Sequence, residues 1–162
     1  MIQFTAPPQF DIPSNTKLAK KVFISGKITD EEETYQEKFK VAKLYLESKG
    51  LTVMSPAVLP LGFEHDDYMQ ICYKMIDACD AVVFLHDWLL SEGAKLEYQY
   101  AALHDKKLFL FDQIVRNDAI DQLIDLREEK RHDMKGDLKL GDSESVYIKD
   151  FIALDWVMRN FN

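Results

Sequence analysis

From Lys21 to Asp112 the chain alternates short apolar runs with longer amphipathic segments. Val22 to Ile24, Leu51 to Met54, Asp80 to Leu85 and Lys107 to Phe111 are nearly continuous in apolar residues and are bounded by Gly, Pro, Asp or Ser. Runs of that length and setting predict buried strands. Between the first two, Tyr35, Phe39, Ala42 and Leu46 recur at i, i+4, i+7 and i+11, the single inward face of a helix. Asp30 is the expected N-cap, with Glu31, Glu32 and Glu33 set against the positive end, and Gly50 is the expected stop. A loop from Ser55 to His65 holds Pro56, Pro60 and Gly62; Asp66-Asp67 then predict the cap of a helix reaching about Cys79. After the third strand, a loop from His86 to Glu92 leads to Gly93, which opens a helix to about His104.

Strands and helices alternating at this spacing predict an α/β fold of βαβ units with right-handed crossovers. The expected form is a parallel sheet of at least four strands in a Rossmann-like or flavodoxin-like three-layer arrangement, with a helical C-terminal extension. Ligands in such sheets sit beyond the carboxyl ends of the strands. Ser25-Gly26, Ser55-Pro56 and the 86–93 loop all fall on that edge.

The ends differ. Residues 1–20 hold Pro7, Pro8 and Pro13 without periodicity, so an extended arm is expected there, lying on the surface or on a neighbour. Residues 21–115 form the α/β domain and 116–162 a helical extension. In the extension a charged helix over 118–131 carries Ile120, Leu123, Ile124 and Leu126 as an apolar minority. A connection around Gly136 and Gly141 follows. Asp142 or Ser143 then caps a final helix with Val146, Phe151, Leu154, Val157 and Met158 on one face.

At 162 residues and 47% hydrophobic content the chain can bury a sizeable core. Twenty Lys and Arg against 28 Asp and Glu leave a charge of −8. That excludes a general nucleic-acid binder, which needs a basic face to displace counterions, but not one small anionic ligand held by backbone N–H groups. No run approaches a membrane span, no secretory signal opens the chain, and two cysteines are too few for a disulfide framework. A cytoplasmic setting is expected.

His65, His86, His104 and His132 stand apart, so no metal site is expected, and no cofactor motif is present: neither Gly-x-Gly-x-x-Gly nor a phosphate loop ending in Gly-Lys-Ser/Thr. The informative stretch runs from Asp80 to Asp112. Ser91-Glu92-Gly93 opens a helix whose free N–H groups can bind a phosphate, and the glycine lets its backbone approach. Glu97 lies one turn in. Its ordinary role would be a solvated helix carboxylate, yet Leu96, Tyr98, Tyr100, Ala101 and Ala102 make this helix apolar almost all round, as in a helix buried on most sides.

KVFISGKIT, SPAVLP, DDYMQICYKMIDACDAVVFL, SEGAKLEYQYA and KLFLF, in that order over residues 21–112, resemble the nucleoside 2-deoxyribosyltransferase-like superfamily, closest to a small branch found in bacteria and phages. The resemblance implies cleavage or exchange of the N-glycosidic bond of nucleosides or nucleotides, with Glu97 as nucleophile at C1′. It implies that Ser91, six residues earlier, helps hold a 5′-phosphate together with Gly93, and that Ser25, Gly26 and Lys27 form a loop closing over the sugar-phosphate. Lys27 is the one cation expected at that edge. One position departs: where characterised enzymes carry an aspartate eight residues before the third strand, this chain has Cys72. A thiol of ordinary pKa, about 8.5, supplies no stable negative charge near neutrality.

Tyr68 is expected to line the base pocket, although Tyr68, Met69, Cys72, Met75 and Ile76 also fit a core face. Trp88, flanked by Leu89 and Leu90, is either a base-stacking lid or a subunit contact. Three functions follow: an N-glycosidic hydrolase or transferase acting on a nucleotide or deoxynucleotide; a catalytically weak protein binding a nucleotide-derived ligand; or a structural subunit whose last 50 residues bind a partner. A homo-oligomer is expected, since sites in the resembled family are often completed by a neighbouring chain.

Overall fold

The computed structural model describes residues 2–13, 19–29 and 34–133, with side chains through Glu129. The expected cap at Asp30 to Glu33 and the final helix with its 136–141 connection lie outside the described residues. The chain divides after Ile114. The described residues of the first unit contain four parallel strands, β1 (Lys21–Ser25), β2 (Thr52–Met54), β3 (Ala81–Phe84) and β4 (Lys107–Leu110), in the order β2-β1-β3-β4. Three helices connect them: α1 (Tyr35–Ser48), α2 (His65–Asp77) and α3 (Glu92–Leu103). The α/β fold with a parallel sheet is therefore as its sequence pattern predicts.

Every residue of β3 and all but the first of β1 are buried. Successive strand residues point to opposite faces, so both faces of these two strands are covered. Phe23, Val82, Phe84 and Leu108 share one apolar cluster with Cys72 and Ile76 of α2 and Ala94 and Ala101 of α3. Helix α1 packs on β1 and β2 and buries Tyr35, Phe39, Ala42 and Leu46, the four positions its periodicity marks. It ends at Gly50, whose φ of 81° is open to glycine without strain. There the Gly50 N–H donates to Glu47 O at 2.9 Å and the Leu51 N–H to Leu46 O at 3.3 Å, which closes the helix end in a Schellman motif.

Several boundaries differ from the expected ones. Helix α2 is capped by Glu64, whose side chain accepts the Asp67 N–H while the Asp67 side chain accepts the Glu64 N–H, a capping box; Asp66 and Asp67 lie in its first turn. Helix α3 starts at Glu92, one residue before Gly93, because Ser91 is the cap. The fourth strand stops at Leu110, and Phe111 instead opens α4 (Phe111–Asp133), edge-on to Tyr45 at 5.6 Å. The charged helix expected over 118–131 thus begins seven residues sooner. The second unit starts at Val115. In its described part Ile120, Leu123 and Ile124 are exposed.

The N-terminal arm lies on its own domain. The Ile2 N–H donates to Glu92 Oε2 at 2.9 Å, the Gln9 N–H to Tyr98 Oη at 2.8 Å, and the Asp11 N–H to Leu108 O at 2.7 Å. The Leu108 N–H donates back to Asp11 Oδ2, also at 2.7 Å. Phe4 and Phe10 stack edgewise or tilted on Trp88, 5.8 and 5.6 Å between ring centres, and Phe84 and Tyr98 complete the cluster. Phe10→Ala removes the ring shared by Phe84, Trp88 and Tyr98 and is expected to cost about 2 kcal/mol, below the range for a fully buried phenylalanine. A urea titration checks this: the midpoint falls while the slope holds.

Candidate functional site

In the order β2-β1-β3-β4 the chain leaves β1 toward one side and returns to β3 on the other, so the crevice between the carboxyl ends of β1 and β3 is the topological switch point. Ser25 ends β1 there and pairs in register with Phe84 of β3. It shares a strand face with Phe23, the face under α2 and α3. Its hydroxyl accordingly meets Glu97 of α3 and donates to Oε2.

Glu97 is only 6% exposed. It follows Ala94 by three residues and precedes Ala101 by four, which puts it on the buried stripe of α3. Burial pushes its pKa from 4.5 to about 7, against the opposing effect of hydrogen bonds from Ser25 and the Cys72 thiol. Near neutrality this carboxyl is poised between its acid and its anion. Cys72 enters from α2, and burial, then the charge of Glu97, hold its thiol far above the ordinary range. It remains a neutral donor. Burial and the charge of Glu97 also raise the phenol of Tyr73, a neighbour that the sequence did not single out.

Ser91 spends its acceptor on its own helix, taking the Ala94 N–H at 3.1 Å, and its hydroxyl proton is still available to donate. At Gly93 an added Cβ would meet only ordinary contacts, the nearest being Met69 Sδ at 3.5 Å. Packing within the chain therefore does not demand glycine here. Glu92 sits at the same helix start, with its carboxylate bonded to the Ile2 N–H and to Lys95 Nζ at 2.9 Å. Gly26 differs from Gly93: a Cβ there would lie 3.0 Å from Leu85 Cδ1 and 3.2 Å from Asp87 Oδ1, so any larger residue in the β1 turn would make these side chains of the β3 loop give way.

Lys27 is partly exposed, and its backbone N–H donates to Asp87 Oδ1 at 3.1 Å. It is not the one cation at this edge. Lys38 of α1 brings its ammonium to Asp87 Oδ2 as a buried ion pair and also donates to Lys27 O at 2.9 Å. The helix spacing carries the signal for it: Lys38 stands three residues after Tyr35 and four before Ala42, on the buried face. Asp87 carries no comparable signal, being one acidic residue in a loop without periodicity.

Tyr68 is partly exposed; its hydroxyl donates to Pro60 O at 2.7 Å and accepts the Phe63 N–H at 3.3 Å, which ties the 60–63 loop to α2. Trp88 is 3% exposed, and the rings of Phe4 and Phe10 from the arm lie against its indole. Ser25, Gly26, Lys27 and Glu97 are thus brought to the switch point, whereas Tyr68 is engaged with a loop and Trp88 with the arm. Among the described residues no cluster of three or more His, Cys, Asp and Glu could hold a metal ion, and no helix is long and apolar enough to cross a membrane.

Two outcomes are expected of the Glu97 geometry. Ser25→Ala removes a donor to the anion, so the Glu97 midpoint moves up from about 7 by about one pH unit, read from the carboxyl ¹³C shift. Glu97 also links stability to pH. Its raised pKa makes its contribution complete below the ordinary value of 4.5 and lost as pH rises through about 7. Glu97→Gln is expected to melt above the wild type at pH 8 and close to it at pH 5.

Residues 20–110 match the family described as a domain of unknown function, DUF4406. No curated protein matches. Among solved structures, a 2-desoxiribosyltransferase from Leishmania mexicana is similar at 19% identity and a TM-score of 0.47, covering 56% of this chain. The matched region spans 63% of the length of that enzyme. Since the family match takes in more than half of the 162 residues, and every strand and helix that shapes the crevice, the chain belongs to the DUF4406 family.

Proposed function

We propose that the protein cleaves or exchanges the N-glycosidic bond of a nucleotide or deoxynucleotide, with Glu97 as nucleophile. The observation that carries this reading is a buried carboxyl at the switch point, hydrogen-bonded to Ser25 and poised near neutrality. As the C1′–N bond breaks, its electron pair leaves with the base and the sugar carbon becomes oxocarbenium-like. The ionised Glu97 forms a glycosyl ester at that carbon. Water or a second base then attacks C1′, the ester bond breaks, and the carboxylate is restored. The proton for the departing base comes from solvent in this scheme, because the neighbouring Cys72 thiol is a weak acid.

Ser91 can offer its hydroxyl proton to a 5′-phosphate, and Gly93 leaves the backbone open to it. Lys27 supplies positive charge from the β1 turn. Lys95 offsets the Glu92 carboxylate at the same helix start. The protein acts in the cytoplasm as a homo-oligomer in this reading. Cys72 favours a second one: with a neutral thiol beside Glu97, the crevice would hold a nucleotide-derived ligand and turn it over poorly or not at all.

Wild type and Glu97→Gln incubated with nucleoside and deoxynucleoside monophosphates, then analysed for free base, separate the two. Catalysis predicts base release by wild type, reduced roughly a thousandfold or more in Glu97→Gln. Because the nucleophile must be ionised, the wild-type rate climbs with pH up to about 7 and levels off above it. A thermal shift by one nucleotide without base release supports binding alone. Neither release nor shift with any nucleotide overturns both.

A further inference from the structure

At the carboxyl edge of the sheet the peptide of Lys27 is gripped from both sides. Its N–H donates to Asp87 Oδ1 at 3.1 Å and its carbonyl accepts from Lys38 Nζ at 2.9 Å. Lys38 and Asp87 are themselves paired, 7% and 6% exposed. One charge comes from α1, the other from the loop after β3, and the peptide between them belongs to the turn after β1. Asp87 is also the residue before the one-turn helix Trp88–Leu90, where an aspartate normally caps; its side chain makes no cap bond and turns to the Lys27 peptide and Lys38 instead.

Burying two opposite charges gives little stability over well-packed apolar residues of the same volume. What such a pair does supply is a defined arrangement of the elements it joins. Here these are the three that border the switch point. Ser25, wholly buried, stands at the root of the turn and carries the hydrogen bond to Glu97. Gly26, between Ser25 and Lys27, lies so close to Leu85 and Asp87 that a methyl group would not fit without displacement.

We propose that Lys38 and Asp87 are positioning residues, which clamp the Lys27 peptide and thereby keep the β1 turn closed over Ser25 and Glu97. They act on the crevice through Lys27 and touch no reacting atom. The inference deepens the glycosidic reading of the crevice and rests on it for its functional meaning. The clamp itself has a readout that needs no substrate. Glu97 is met by Ser25 from β1 and Cys72 from α2, with Tyr73 of α2 nearby, and burial is the largest influence on its titration. Opening the turn lets water reach the carboxyl and lowers its midpoint.

The test is a ¹³C-carboxyl titration of Glu97 in the full chain, in wild type and in the double variant Lys38→Met/Asp87→Leu, alongside melting temperature. The expected result is a double variant that melts within a few degrees of wild type, with a Glu97 midpoint lowered from about 7 by about one pH unit or more. A folded double variant with an unmoved midpoint overturns the proposal, since the pair is then structural only. If the double variant does not fold, Asp87→Ala, which releases both the Lys27 N–H and the Lys38 ammonium, undergoes the same titration: a lowered midpoint supports the clamp and an unmoved one overturns it. Base release by wild type is assayed in parallel. Its absence together with a lowered midpoint rejects the glycosidic reading and retains the clamp. Its presence with an unmoved midpoint does the reverse.

Discussion

A carboxyl group removed from water must find donors or keep its proton, and Glu97 does some of each. Ser25 and Cys72 supply two neutral donors, enough to oppose its desolvation and too few to cancel it. Those donors come from β1 and α2, while Glu97 itself sits on α3. Much of the architecture serves this meeting. The crossover that places β3 beside β1 brings α3 over the end of β1, and the packing of α2 on α3 closes the other side.

Beside it stands a buried charge handled in the opposite way. Asp87 meets the Lys38 ammonium and the Lys27 amide, whereas Glu97 meets, among the described residues, a hydroxyl and a thiol. The two carboxyls border one crevice without sharing a counter-charge. One is tied to an ammonium in a structural joint, and the other stays near its titration point.

The strands and the inward face of α1 were legible because they depend on local periodicity: four apolar runs and the spacing of Tyr35, Phe39, Ala42 and Leu46. Ser25, Gly26, Lys27, Ser91 and Glu97 were legible as positions, since strand ends and helix starts fall at a known edge of such sheets. Their partners were not. Lys38 lies on a helical face that could be read, but its pairing with Asp87 joins residues 49 apart in sequence and depends on how α1 meets the loop after β3. Trp88 illustrates the same gap. Its flanking leucines mark a site needing cover, and only the folded arm shows that Phe4 and Phe10 provide it. Cap positions at Glu64 and Ser91 shifted by one to three residues because the neighbouring Asp66, Asp67 and Gly93 carry similar local signals.

The arm has an effect beyond the ring cluster. An outermost parallel strand normally offers a row of unpaired amides and carbonyls, a template on which another chain can extend the sheet. On β4 that template is interrupted at Leu108, whose N–H and C=O are both taken by Asp11, one through the side chain and one through the backbone. A single aspartate at the end of a proline-rich segment thus acts as a terminator for the sheet. Sheet growth from one molecule into the next is obstructed on the β4 side for as long as the arm stays seated.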